Sequence, residues 1–142
     1  LAARWQASLL YDQHEYRGPL GGIHTSLSHC ATDEMALILA CDLPCLTTEF
    51  LQWLLEVHTA GPQALTVPLD AAGRVQMLVG LYNQSCVTAA AALLHENRLR
   101  VDGLLSCVPV RQVAFAEYAH QPHAEKLLRN LNTPDELHET VF

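Results

Sequence analysis

The sequence has little positive charge and contains a single lysine, Lys126. Its 142 residues carry 8 lysine and arginine side chains against 15 aspartate and glutamate side chains, which gives a formal net charge of −7. A general binding surface for nucleic acid or for an anionic membrane needs a basic face. The composition argues against both partners, although backbone N–H groups can still build a small phosphate pocket.

Long apolar runs are also missing. No apolar stretch approaches the roughly 18 residues that a membrane-spanning helix needs, and no secretory signal stands at the start of the chain. We therefore expect a cytoplasmic protein with no membrane partner. The chain begins at Leu1 rather than at methionine, and we expect its true start to lie upstream.

The sequence has no Cys-x-x-Cys pair, and its eight histidines show no metal spacing. The cysteine number is odd, and three of the cysteines lie in apolar segments. This usage is typical of free thiols in a reducing compartment rather than of a disulfide framework or a zinc site. The cysteines are Cys30, Cys41, Cys45, Cys86 and Cys107.

One stretch organises the rest of the chain. Residues 35–41 form an unbroken apolar run, which predicts a strand buried on both faces. The run ends at Asp42, and Pro44 then stops the strand. In open α/β sheets, a carboxylate at the C-terminal end of such a strand lies where ligands bind. Thr47 is placed to cap the helix that follows.

Strand and helix patterns alternate along the remaining sequence, with one hairpin-type turn. This predicts one α/β domain over residues 1–142 with a mostly parallel sheet and an antiparallel part. Pro109 lies within one predicted strand, which indicates that this strand is at an edge of the sheet. The further strands are predicted at 7–11, 64–68, 75–82, 108–115 and 127–131, and the further helices at about 22–30, 47–60, 87–94, 101–107 and from 133 onward.

Two other segments carry features suited to a binding site. Asp12 closes the predicted first strand, which would make a second carboxylate at a strand end; taken alone, it is better explained as a solvated loop acid. The segment Gly18–Gly22, Gly-Pro-Leu-Gly-Gly, predicts a tight turn before a helix. The N-terminus of such a helix is a ready anion site, although a simple turn into a packed helix explains the glycines as well.

Three motifs then follow in one order: Gly18–Gly22, the Ala40–Pro44 corner, and Asn130-Leu-Asn-Thr-Pro-Asp-Glu-Leu137, with Gln76–Tyr82 between the last two. In this order and spacing the sequence resembles the molybdenum cofactor guanylyltransferase family. The resemblance implies a Rossmann-like fold of the nucleotide-diphospho-sugar transferase type. It also implies a transferase that moves GMP from GTP to the terminal phosphate of molybdopterin and releases pyrophosphate, with Mg²⁺ as its cofactor.

The resemblance assigns roles to individual residues. Asp42 matches the metal-binding, catalytic aspartate, and Asp12 matches an aspartate that contacts the guanine nucleotide. Asn130 and Asn132 match two asparagines on the cofactor side, although the helix start at Thr133 also explains that motif structurally. The loop beside the reaction centre matches Gly18, Pro19, Leu20, Gly21 and Gly22.

One departure from the family weighs against full activity. The family opens with a strand and a Leu-x-Gly-Gly loop followed by an arginine and an Asp-Lys pair, and none of these occurs here, so the first βα units are missing. We therefore expect weak GTP binding and little catalysis. Two alternatives stay open. The chain is a non-catalytic remnant that self-associates as a homodimer across its truncated sheet edge, or it is a sister enzyme acting on CTP or a sugar phosphate.

Overall fold

The computed structural model describes residues 8–12 and 17–130. Within these ranges the chain forms five α-helices, one 3₁₀-helix and four strands. In chain order they are α1 (Gly18–Ser28), β1 (Met35–Leu39), α2 (Thr48–Thr59), β2 (Leu65–Pro68), β3 (Val79–Asn83), α3 (Cys86–His95), the 3₁₀-helix (Val101–Ser106), β4 (Val110–Val113), α4 (Phe115–Tyr118) and α5 (Ala124–Leu127).

The four strands form one mixed sheet in the order β1-β3-β2-β4. β3 is antiparallel to both of its neighbours, and β2 is parallel to β4. It follows that β1, β2 and β4 run in one direction and β3 runs in the other. The predicted α/β class with a sheet that mixes parallel and antiparallel strands is confirmed, although two of the three strand pairs in the described sheet are antiparallel. Pro109 immediately precedes β4, which is an edge strand of the described sheet, as expected.

Helices cover both faces of the sheet, and each face has its own apolar cluster. α1 and α3 pack on one face around Leu20, Ile23 and Leu93, while α2, α4 and α5 pack on the other. The two clusters are separated by β3, whose successive side chains point to opposite faces. None of the helices in the described part of the chain has the length and apolar character needed to cross a membrane.

The placement predicted for the organising strand is wrong. β1 ends at Leu39 and lies at an edge of the described sheet, where only β3 pairs with it. Met35, Leu37 and Leu39 are 36%, 42% and 43% exposed. The run is apolar throughout, but the burial of a strand depends on neighbours that a local pattern does not contain, and here α1 packs on the Ala36 and Ile38 side only.

Four other predicted elements differ from the structure. Residues 8–11 form no strand. The Gly-Pro-Leu-Gly-Gly segment is the first part of α1 rather than a loop, because proline is tolerated in the first helical turn. β3 begins only at Val79, because the Val79 amide bonds to the Gln76 carbonyl in a turn. The strand predicted at 127–131 is wrong within the described residues, where α5 ends at Leu127.

A polar network lies inside the apolar packing between α2 and the sheet. The His58 ring is 3% exposed, and its Nδ1 and Nε2 atoms lie 2.8 Å from Thr66 Oγ1 and from Asn83 Oδ1. Asn83 in turn donates to the Gln63 carbonyl at 3.2 Å. Because each buried polar group has a partner, the network avoids the desolvation cost of an unpaired one. It fixes α2, and therefore the corner before α2, against β2 and β3.

Candidate functional site

The corner after β1 is held in place at both ends. The Ala40 amide donates to the Leu78 carbonyl at 2.8 Å, which extends the β1–β3 contact by one residue. Leu43 is buried against the α2 side of the sheet. The Phe50 amide donates to Thr47 Oγ1 at 3.2 Å, so Thr47 caps α2 as the sequence predicts. Asp42 is therefore displayed on a rigid turn between a strand and a helix.

The two carboxylate oxygens of Asp42 have different surroundings. Oδ2 accepts a hydrogen bond from Asn130 Nδ2 at 3.0 Å. Oδ1 is buried, and no hydrogen-bond partner for it occurs in residues 8–12 and 17–130. A buried carboxylate oxygen without a donor is costly, and binding of a metal ion, a water or a ligand atom can remove that cost. The structure thus joins Asp42 and Asn130, which are 88 positions apart in the sequence.

A cavity of about 640 Å³, which we call the Asp42 cavity, opens beside this corner. Asp12, Pro19, Gly22 and Asp42 all line it. A Cβ atom added at Gly22 would lie 3.7 Å from Asp12 Oδ1, so the helix backbone packs directly against this carboxylate. The structure therefore brings together two carboxylates and two α1 residues that the sequence singled out separately.

Other residues predicted for this site lie elsewhere. Leu20 is fully buried in the core, and Gly18, Leu20 and Gly21 do not line the Asp42 cavity. The reason is the early start of α1, which turns the Leu20 side chain inward toward the sheet. Gly18 has a φ of +61°, a left-handed conformation that favours glycine at the entry to the helix. Asn132 lies outside the described residues.

A second cavity, of about 670 Å³, is lined in part by Asn130, and sequence reasoning missed it. We call it the Asp70 cavity, because Asp70 shapes the 70–76 loop at its edge. Asp70 accepts hydrogen bonds from Arg74 Nε at 2.8 Å and from Gln76 Nε2 at 3.0 Å. Burial by itself raises the pKa of Asp70, but the hydrogen bonds from Arg74 and Ala72 outweigh it and hold that pKa below its usual range.

Tyr118 forms part of the wall of the Asp70 cavity and ties α4 to the sheet. Its hydroxyl donates to the Leu69 carbonyl at 2.6 Å. Burial, with a contribution from the charge of Asp70, raises the pKa of Tyr118 to about 12. The hydroxyl therefore stays protonated near neutral pH and keeps this donor role. The only sequence signal for the cavity was the Asp70-to-Arg74 turn, which also reads as an ordinary hairpin connection.

The donor set near Asp42 suits a hard divalent cation. The described residues contain no group of three or more histidine, cysteine, aspartate or glutamate side chains able to hold a metal. Mg²⁺ needs no such cage, because one or two carboxylates with substrate oxygens and waters complete its coordination. The unpartnered Oδ1 of Asp42 fits this role. Among the described residues that line the Asp42 cavity there is no lysine, arginine or histidine, so a polyphosphate bound to them would need such a cation.

Comparison with known proteins identifies the family of the chain. A profile of the MobA-like NTP transferase domain matches residues 1–105. The chain belongs to the MobA-like NTP transferase family. The resemblance to molybdenum cofactor guanylyltransferases seen in the sequence is thereby confirmed.

Relatives of this MobA-like domain carry matching names. The chain is 35% identical over 123 residues to a probable molybdenum cofactor guanylyltransferase of Flavobacterium johnsoniae, covering 87% of this chain and 60% of the relative. It is 30% identical over 135 residues to the molybdenum cofactor guanylyltransferase of a Shewanella species, covering 94% and 64%. The MobA-like domain thus spans less than two thirds of these relatives' length.

Solved structures support the fold of the MobA-like domain. It superposes on molybdopterin-guanine dinucleotide biosynthesis protein A of Archaeoglobus fulgidus with a TM-score of 0.80 at 22% identity. The match covers 97% of this chain and 68% of that one. The predicted nucleotidyltransferase fold is therefore confirmed, while the roles given to individual site residues stay predictions.

Proposed function

We propose that this chain is the nucleotidyltransferase part of a molybdenum cofactor guanylyltransferase, which transfers GMP from GTP to molybdopterin and releases pyrophosphate. The observation that carries the proposal is the buried Oδ1 of Asp42, which has no hydrogen-bond partner among the described residues, in a residue that lines the Asp42 cavity and whose Oδ2 is held by Asn130. The reaction class is inferred from the names of the relatives. We infer that the metal of this reaction binds at Oδ1 of Asp42.

In this proposal the two cavities hold the two substrates. The Asp42 cavity takes the nucleotide, and Asp12 lies against the α1 backbone where it can accept hydrogen bonds from a base or ribose. Mg²⁺ held by Asp42 would offset the triphosphate charge and stabilise the charge that develops during transfer. Asn130 fixes the rotation of the Asp42 carboxylate, so that Oδ1 stays directed away from the amide.

Calorimetric titration of the purified chain with GTP and Mg²⁺ tests the nucleotide part of this proposal. We expect weak but measurable binding that disappears when EDTA removes the metal, because without the cation two carboxylates face the phosphates. CTP under the same conditions is the control and should bind at least about 10-fold more weakly. Binding that is independent of Mg²⁺ would contradict the proposed role of Asp42. Equal binding of CTP would favour the sister enzyme with a different substrate.

The exposed edge of β1 favours a second candidate function, a non-catalytic chain that acts through self-association. Within the described sheet, β1 has one strand partner, and Met35, Leu37 and Leu39 are each more than a third exposed. The strand contains no proline or charged residue that would block pairing with another edge. Antiparallel pairing of two copies centred on Leu37 would place Met35 of one copy opposite Leu39 of the other.

We expect the wild-type chain to sediment as a dimer at micromolar concentration and Leu37→Lys to shift it to the monomer. A lysine on an edge strand blocks edge-to-edge pairing, and it should cost little in the monomer because Leu37 is 42% exposed. Leu55→Lys is a matched control, since Leu55 is also 42% exposed but lies on α2. Sedimentation velocity measures both variants, and a wild-type monomer at all concentrations would rule out the homodimer.

A further inference from the structure

The 70–76 loop is organised by the carboxylate of Asp70, whose two oxygens accept four hydrogen bonds from other residues of the same loop. Asp70 Oδ1 accepts from the backbone amides of Ala72 at 2.9 Å and Arg74 at 3.0 Å, and Oδ2 accepts from two side chains. The Asp70 amide also donates to the Arg74 carbonyl at 2.9 Å. Gly73 has a φ of +78°, which allows the chain to reverse inside the loop. The loop is therefore pre-organised before any ligand arrives.

The loop orients the Arg74 side chain through the Nε atom of its guanidinium group. Its Nε atom bonds to Asp70, whereas no hydrogen bond of its Nη atoms is found among the described residues, and its side chain is 78% exposed. It lines the Asp70 cavity, with Arg129 among the other lining residues. A guanidinium whose Nε is fixed by a carboxylate keeps two Nη groups in a planar fork, which suits a phosphate.

The remaining walls of the cavity suit a planar organic group. Val75, Tyr118 and Leu128 contribute apolar or aromatic surface, and Gln76 contributes an amide. A volume of about 670 Å³ lies in the range of small-molecule sites. Asn130 lines the same cavity and donates to Asp42, so a group bound here lies next to the corner where transfer is proposed.

We propose that Arg74, held in place by Asp70, binds the terminal phosphate of the acceptor in the Asp70 cavity. The acceptor class is an aromatic heterocycle that carries a phosphate monoester, and this inference rests on the proposed function. Arg74 is a substrate-binding residue in this scheme, and Asp70 is a positioning residue that acts through it. Within the described part of the chain, the lining of the Asp42 cavity contains no cationic side chain, whereas the lining of the Asp70 cavity contains Arg74 and Arg129, so an anionic acceptor fits the Asp70 cavity better.

Titration with neopterin monophosphate and with unphosphorylated neopterin tests this assignment on the intact chain. We expect Arg74→Ala to weaken binding of the phosphorylated probe by about 10-fold or more and to leave binding of neopterin unchanged, because hydrogen bonds to a charged group are lost. Arg74→Lys should recover part of the affinity, since it restores charge but not the fork. Arg98→Ala is the control; Arg98 pairs with Glu96 on the surface and should not matter.

Three results would overturn the assignment. The first is equal affinity of the wild-type chain for both probes, and the second is an unchanged affinity of Arg74→Ala for the phosphorylated one. The third is an equal loss for both probes, which would mean that Arg74 only supports the loop. GTP–Mg²⁺ binding is measured on the same samples and should not change in Arg74→Ala. If GTP fails to bind while the phosphate effect persists, the proposed nucleotide function fails and the Arg74 site stands.

Discussion

Replacing Asp42 with asparagine is expected to weaken Mg²⁺-dependent GTP binding by at least about 100-fold, because the metal loses its charged protein ligand. Asparagine has nearly the same shape as aspartate and keeps an oxygen that can accept from Asn130. The fold of the corner should survive, since its anchors are the Ala40 amide and the Thr47 cap. The expected loss therefore reports on the carboxylate charge rather than on the geometry of the turn.

The matched control for this variant is Asp33→Asn. Asp33 is an exposed acid in the turn before β1, so its replacement makes the same change in net charge away from the Asp42 cavity. Calorimetry with GTP at several Mg²⁺ concentrations should show wild-type behaviour for Asp33→Asn and a flat, weak response for Asp42→Asn. Mg²⁺-dependent binding of wild-type strength in Asp42→Asn would show that the metal is held elsewhere.

Part of the site could be predicted from sequence because its signals are local. The strand, acidic corner and capped helix around Asp42 depend on apolar residues, a proline and Thr47 within a dozen positions. Asp12 was placed near Asp42 on the assumption of a strand at 7–11. The described residues 8–11 form no strand, yet Asp12 still lies at the cavity, because it packs against Gly22 of α1.

The parts that could not be predicted depend on distant neighbours. The apolar run of β1 carries no sign that the strand lies at an edge of the described sheet. Residues 127–131 were predicted as a strand, although Ala124, Leu127 and Leu128 have helical spacing and are buried together. Because this segment was misassigned, the Asp70 cavity, which is lined both by the 70–76 loop and by residues about fifty positions later, could not be predicted from the sequence.

Aromatic packing between α2 and α4 links the two cavities, in addition to the hydrogen bond between Asn130 and Asp42. Phe50 is fully buried in the first turn of α2, immediately after the Asp42 corner. Its ring centroid lies 5.1 Å from that of Tyr118, at an interplanar angle of 62°. Tyr118 in turn bonds to the Leu69 carbonyl, next to the residue that organises the Asp70 cavity. Packing between these two rings therefore connects the Asp42 corner to the 70–76 loop.

We expect Phe50→Ala to lower the free energy of unfolding by about 3–5 kcal/mol, through the lost burial and the cavity left in the core. Phe50→Leu should cost less, because it keeps most of the volume. Urea denaturation measures both, with Leu55→Ala on the exposed side of the same helix as a control expected to change stability by less than about 1 kcal/mol.

A marginally stable domain has about 5–15 kcal/mol to lose, so Phe50→Ala should also weaken GTP binding near physiological temperature through the unfolded fraction. In Phe50→Leu, by contrast, any loss of GTP binding at low temperature would reflect a shifted corner rather than unfolding. A loss of less than about 1 kcal/mol in Phe50→Ala would mean that the Phe50–Tyr118 contact does not hold the two cavities together, since such a value is typical of surface positions. The Asp42 corner would then depend mainly on the β1–β3 pairing and the His58 network.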